Sequence, residues 1–196
     1  TFNLGLPDPL TILLLALITF ESGPKKICLG VVLAALSHFS LALLSMLGLI
    51  GLIFVTPSMN YQDRMISIKA ILLGLVSGRL ALSGWHFVFD YHPIGRFSWA
   101  LQHGLDSFVG RYQDNVLGFW LTPGIKFLII YAIACTGFLL SKKWGMCIAG
   151  ISALGIAYLG LFFSVDGYRI FAVIISSPLL WLLKEFVLQV TQKINS

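Results

Sequence analysis

Between Ile27 and Val55 the chain carries no formal charge. As one helix that stretch measures roughly 43 Å, more than an upright crossing of a ~30 Å hydrocarbon core. It therefore has to tilt, bend or extend past the interface. The rest of the chain agrees with a membrane solvent: 58% of the 196 residues are hydrophobic, 11% are charged, and mean hydropathy is +0.91. Those values lie far outside the range of soluble domains. The sequence predicts an all-α, polytopic transmembrane helical bundle of five or six spans with an interfacial amphipathic helix. Residues 1–196 form a single integral membrane domain. The chain opens on Thr1 without a basic signal-peptide leader, and the short first segment reads as part of a longer chain.

The expected spans follow from the apolar runs. The first covers residues 9–20, started by Asp8-Pro9 with proline in the first turn. Gly23-Pro24-Lys25-Lys26 breaks the chain before the long second run, 27–55, which Thr56-Pro57 ends. The third covers 66–89 and contains Gly74 and Gly78 at small-xxx-small spacing, which lets a neighbouring helix approach closely. The fourth runs from Lys126 or Phe127 to Leu140, the fifth covers 145–165, and the sixth covers 170–183 with an interruption at Pro178. Residues 90–117 do not span. Within them Phe97, Ala100, Leu101, Leu105, Phe108 and Val109 recur at helical spacing, the pattern of a surface helix. Trp85, Trp99, Trp120, Trp144 and Trp181 fall near span ends, where indoles favour the headgroup layer.

Net charge is +5, but the basic residues are scattered one or two per loop. That excludes nucleic acid as a partner and points to membrane lipid. If every segment crosses, Arg64, Lys69, Lys142, Lys143, Lys184 and Lys193 oppose Lys25, Lys26, Arg96, Arg111 and Arg169, a bias too small to orient the chain by itself. The Lys142-Lys143 turn, which has no carboxylate, reads as a cytoplasmic loop. Cys28, Cys135 and Cys147 lie in or beside apolar runs at no shared short spacing and read as buried thiols.

Arg79 is the sharpest functional pointer. A guanidinium cannot shed its proton, and burying it in hydrocarbon costs several kcal/mol unless an anion, a carbonyl cage or water meets it. It should face the bundle interior or a lateral cleft, holding a lipid phosphate or pyrophosphate; the alternative is a structural arginine paired with carbonyls or a partner chain. Ser37 and His38 make a second polar patch within the long run, for which a helix–helix hydrogen bond is the simpler account. With His38, Arg79 and Lys126 in the spans and no acid at mid-span, a bound anion would balance the charge.

His86 and Asp90 are spaced i, i+4 and share a helix face. Together with His103 they are candidates for proton transfer. The same residues with His92 and Asp106 make a weak metal pattern, and no metal or other cofactor is expected. Ser77-Gly78 lacks the glycine and the later histidine of an intramembrane serine protease. No Walker loop, His-Glu-x-x-His, dinucleotide fingerprint or paired intramembrane carboxylates occur.

Asp8-Pro9-Leu10-Thr11, Ser37-His38-Phe39 and the Asp166-x-x-Arg169 turn together resemble pieces of bacterial polytopic polysaccharide polymerases and membrane glycosyltransferases. The resemblance implies outward-facing arginines that hold the pyrophosphate of an undecaprenyl-type lipid-linked sugar in the bacterial inner (plasma) membrane. Matched by type, these are Arg79, Arg96, Arg111 and Arg169, with His86 or His103 assisting proton transfer. The expected function is thus handling of a lipid-linked, phosphate-bearing glycan substrate by a transferase or polymerase. The alternatives are a non-catalytic membrane subunit docking other subunits through Arg79 and the Gly74/Gly78 face, and an organic-anion transporter.

Overall fold

The computed structural model describes residues 7–21, 23–89, 124–162 and 167–194. Among them the chain forms six helices and no strand: α1 (Pro7–Phe20), α2 (Pro24–Val55), α3 (Tyr61–Val88), α4 (Gly124–Leu140), α5 (Trp144–Phe162) and α6 (Gly167–Ile194). Three of them, α2, α3 and the Ile170–Gln192 part of α6, are long and apolar enough to cross a membrane. That corrects the expected five or six. The runs expected as the first, fourth and fifth spans are shorter apolar helices, Pro9–Phe20, Ile125–Leu140 and Trp144–Gly160. The surface helix expected at 97–109 lies outside the described residues.

The long uncharged run is not one straight helix. At His38 the backbone leaves helical geometry for a single extended residue, with φ −160° and ψ 88°. A straight helix would place Pro24 and Phe54 about 45 Å apart. Instead α3 reaches both: Arg64 donates from Nη1 to Phe54 O at 3.0 Å, while Lys69 and Ala70 share a pocket wall with Pro24 and Cys28. Only a fold-back at His38 satisfies both. Residues 24–37 and 39–55 are therefore two limbs of a helical hairpin, roughly 21 and 26 Å long.

The direction of each helix follows from its contacts. α1 runs down to Phe20 and the first limb of α2 runs up beside it, with Gly30 against Ile18 near the lower end and Ser37 against Thr11 near the upper. The second limb descends, α3 rises, and α4, α5 and α6 run down, up and down. Gly145 lies beside Val55 and Gly48 beside Ala153, so α5 is antiparallel to the second limb. Gly150 meets Cys135 and Tyr131 of α4, and Gly160 meets Ile170 and Ile174 of α6. The hairpin α2 is the hub, packing on α1, α3, α5 and α6, while α3 packs on α2 alone among the described helices.

Local chemistry sets the boundaries. Asn60 caps α3: its side chain accepts from Asp63 N at 2.8 Å and donates to Asp63 Oδ2 at 2.7 Å. The first bond meets one orphan backbone donor at the helix start, and the second ties the two side chains together. At the hairpin tip, Ser37 Oγ donates to Ala34 O, a carbonyl in the last turn of the first limb. The Gly74/Gly78 face packs within the chain. A Cβ on Gly74 would lie 2.8 Å from Cys28 O, and one on Gly78 would lie 2.6 Å from Ala35 Cβ. That face is consumed by α2 and is not open to a partner subunit. α6 continues through Pro178 to Ile194, so the expected interruption does not end the helix.

Candidate functional site

The fold-back brings both limbs of α2 to one cavity at the lower end of the bundle, with a volume of about 430 Å³. Its walls come from the end of α1, the start and end of α2, the first turns of α3 and the second half of α6. That volume is in the range of small-molecule sites. The upper and inner walls are apolar, formed by Ile18, Ile27, Leu49, Ile53 and Ile71. The polar lining is Glu21, Ser58, Asp63, Ser67, Lys184 and Glu185.

Glu185 is the least expected of these. Only 4% of it is exposed, and Ser58 Oγ donates to its Oε1 at 2.7 Å. Burying a carboxylate costs several kcal/mol unless charge or donors compensate. Its sequence neighbour Lys184 does not pair with it. The Lys184 ammonium lies 4.4 Å from the centre of the Trp181 ring and donates to Thr19 O at 3.3 Å. Glu21 lies at the rim, with Oε2 3.4 Å from Lys26 Nζ and Oε1 accepting from Gly23 N. Lys26 is well exposed, so that pair is screened and weak.

A neutral hydrogen-bond chain fixes the floor. Trp181 Nε1 donates to Thr56 Oγ1 at 2.8 Å, and Thr56 donates onward to Leu52 O at 2.8 Å. Thr19 Oγ1 donates to Leu15 O, so the 2.7 Å contact between Thr19 and Ser177 is donated by Ser177. These bonds tie α1, α2 and α6 together and hold Trp181 rigid at 5% exposure. Trp181 is therefore an interior residue, not a headgroup anchor. Trp85 and Trp144 are the exposed indoles among the described helix ends.

The residues picked from the sequence lie elsewhere. Arg79 is exposed on α3 at the level of the hairpin tip, with its guanidinium 5.3 Å from the centre of the Phe39 ring. Of the two placements expected for it, bundle interior or lateral cleft, it does not take the first. The fold-back is the cause, because the α2 hairpin ends at Phe39 and leaves Arg79 at the bundle's edge. His86 lies seven residues further on, two turns up the same face, and is half-buried. Arg169 falls in the first turn of α6 at the same upper end. Asp90, Arg96, His103 and Arg111 lie outside the described residues, as does the convergence expected of the four arginines. Ser37 is half-buried and bonds Thr11 across to α1 at 2.7 Å. Among the described residues no three His, Cys, Asp or Glu side chains are placed to hold a metal.

The cavity is hard to read from the sequence because Glu21 and Asp63 sit at helix ends, where acids look solvated, and Glu185 directly follows a lysine. Glu185 carried one usable signal: in α6 it follows Trp181 and Leu182 by one turn on the face that turns inward.

No family model, curated protein or solved structure matches the chain. Fold and site define a class: an all-helical protein, with helices long and apolar enough to cross a membrane, that encloses a charged cavity at one end.

Proposed function

We propose that the chain is an integral membrane protein that handles a lipid-linked, phosphate-bearing substrate at its upper end, in a transferase or polymerase reaction of glycan assembly. The observation that carries this reading is the placement of Arg79. It is an exposed guanidinium at the end of a helical hairpin, stacked on Phe39, with no carboxylate within ion-pairing distance among the described residues. A permanent cation exposed on an apolar helix attracts lipid phosphates. The Phe39 ring holds the guanidinium plane and leaves its donor edge free for an oxyanion. His86, two turns above on the same face, is the group within reach for proton transfer.

The test is binding of a polyprenyl pyrophosphate, compared with the matching polyprenol, to purified protein in a neutral maltoside micelle. The pyrophosphate lipid should bind at least ten times more tightly. Arg79→Lys should remove most of that preference, because lysine lacks the bidentate fork. Equal binding of the two lipids, or a preference untouched by Arg79→Ala, ends this reading.

One observation favours a second reading, a non-catalytic membrane subunit. Leu72, Leu73, Val76 and Leu80 are exposed on α3, a helix that packs on α2 alone among the described helices. In that case Val76→Ser with Leu80→Ser would shrink the complex in native membrane extracts while lipid binding stayed unchanged.

A further inference from the structure

The lower cavity lies at the opposite end of the bundle from Arg79, and its chemistry is of opposite sign. The lining carries the carboxylates Glu21, Asp63 and Glu185 and the one cation Lys184; Glu21 is paired with Lys26 at the rim, and the Lys184 ammonium is already engaged by the Trp181 ring and Thr19 O. Glu185 is buried with Ser58 as its donor and has no ion pair within 4.0 Å among the described residues. A second, independent observation comes from α3. Ser67 is 8% exposed and lines the same cavity from the α3 side. A carboxylate that is 4% exposed and a serine that is 8% exposed, both lining one cavity, make a site suited to a ligand that brings donors and positive charge.

An anion is disfavoured, since the carboxylates would repel it. A metal ion is also a poor fit, because no three acidic, histidine or cysteine side chains gather on a point among the described residues. Carboxylates spread around a wall suit a larger organic cation. The remaining walls are aliphatic, and the rim carries Ile66 of α3 and Leu188 of α6, both exposed. Those two helices border the cavity without packing on each other, which leaves a lateral way out for a hydrocarbon chain.

We propose that this cavity binds an amphiphile with an ammonium head, the head held by Glu185 and Ser67 and the tail leaving between Ile66 and Leu188. Lys184 occupies part of the space as a built-in ammonium, its charge parked on Trp181 so that Glu185 stays available. The site is separate from Arg79, so either can fail without the other.

The experiment uses the full chain in a maltoside micelle, titrated with dodecylamine, dodecanol and dodecyl phosphate, with binding read by native mass spectrometry and thermal shift. Dodecylamine should bind saturably and at least ten times more tightly than dodecanol, and dodecyl phosphate more weakly still. Glu185→Gln keeps the shape and the Ser58 bond and should erase the preference for amine over alcohol. Should that variant fail to fold, Ser67→Leu fills the cavity from α3 with every carboxylate intact, and it should abolish amine binding. Arg79→Ala should leave amine binding unchanged. Equal affinity for amine and alcohol, tighter binding of the phosphate, or a preference that survives both Glu185→Gln and Ser67→Leu overturns the proposal.

Discussion

Glu185 and Arg79 exchange the roles that their sequence surroundings suggest. Arg79 lies deep in an apolar run and ends up exposed, while Glu185 follows a lysine near the chain end and ends up buried. The difference comes from neighbours that only the fold supplies: Ser58, in the turn after α2, is the donor that Glu185 uses. Ser58→Ala should therefore cost more than an ordinary exposed serine, roughly 1–3 kcal/mol, because it strands a buried carboxylate oxygen. Glu185→Gln combined with Ser58→Ala should recover part of that loss, since the charge is gone. Thermal unfolding of the purified variants in one detergent measures both. Equal melting temperatures for Ser58→Ala and the parent would mean that the bond is not stabilising Glu185. Trp181 adds a parallel case. Trp181→Phe keeps the ring under Lys184 but removes the donor to Thr56, which still donates to Leu52 O, so only about 1 kcal/mol is at stake.

At the scale of elements, the apolar runs were legible because a continuous hydrophobic stretch has few other uses, and the helix positions follow them to within a few residues, except that α6 runs on past Leu183 to Ile194. What periodicity cannot report is a fold-back made by one extended residue. Nothing about His38 forbids helix, and φ near −160° is open to any residue. The reversal is decided by what the limbs meet. Gly74 and Gly78 admit the first limb of α2 to within backbone contact of α3, and Gly48 lets the second limb close on Ala153 and Pro178. The small-xxx-small pair was visible in the sequence, but its partner inside the chain was not. Gly78→Leu should push α3 off Ala35 and destabilise the bundle by about 1–3 kcal/mol, the usual cost of overpacking. Gly84→Leu, on the same helix where nothing lies within 4 Å, should be nearly neutral. Comparing the two melting temperatures checks the α2–α3 contact directly. If the two substitutions are equally tolerated, the close packing is not what holds α3.

For the whole molecule, the fold-back decides which basic residues share a side. A single crossing by α2 would set Lys25 and Lys26 opposite the Lys142-Lys143 turn. The hairpin instead returns the chain to the end it left, so Lys25, Lys26, Arg64, Lys69, Lys142 and Lys143 all belong to the lower half. Arg79, Lys126 and Arg169 belong to the upper. Among the described residues the basic side chains thus gather toward the lower half. Basic residues near span ends are retained on the cytoplasmic side, so the lower cavity should open toward the cytoplasm and Arg79 toward the opposite face. In a chain whose own cysteines, Cys28, Cys135 and Cys147, are replaced by alanine, single cysteines at Lys25, Lys142 and Gly84 report this with a membrane-impermeant maleimide. Intact cells should label the Gly84→Cys variant only, and permeabilised cells all three. Lys25→Cys and Lys142→Cys must behave alike whatever the orientation, because the hairpin alone puts them on one side. Labelling of one and not the other in intact cells would mean that α2 crosses the bilayer once, and the shared cavity would go with it.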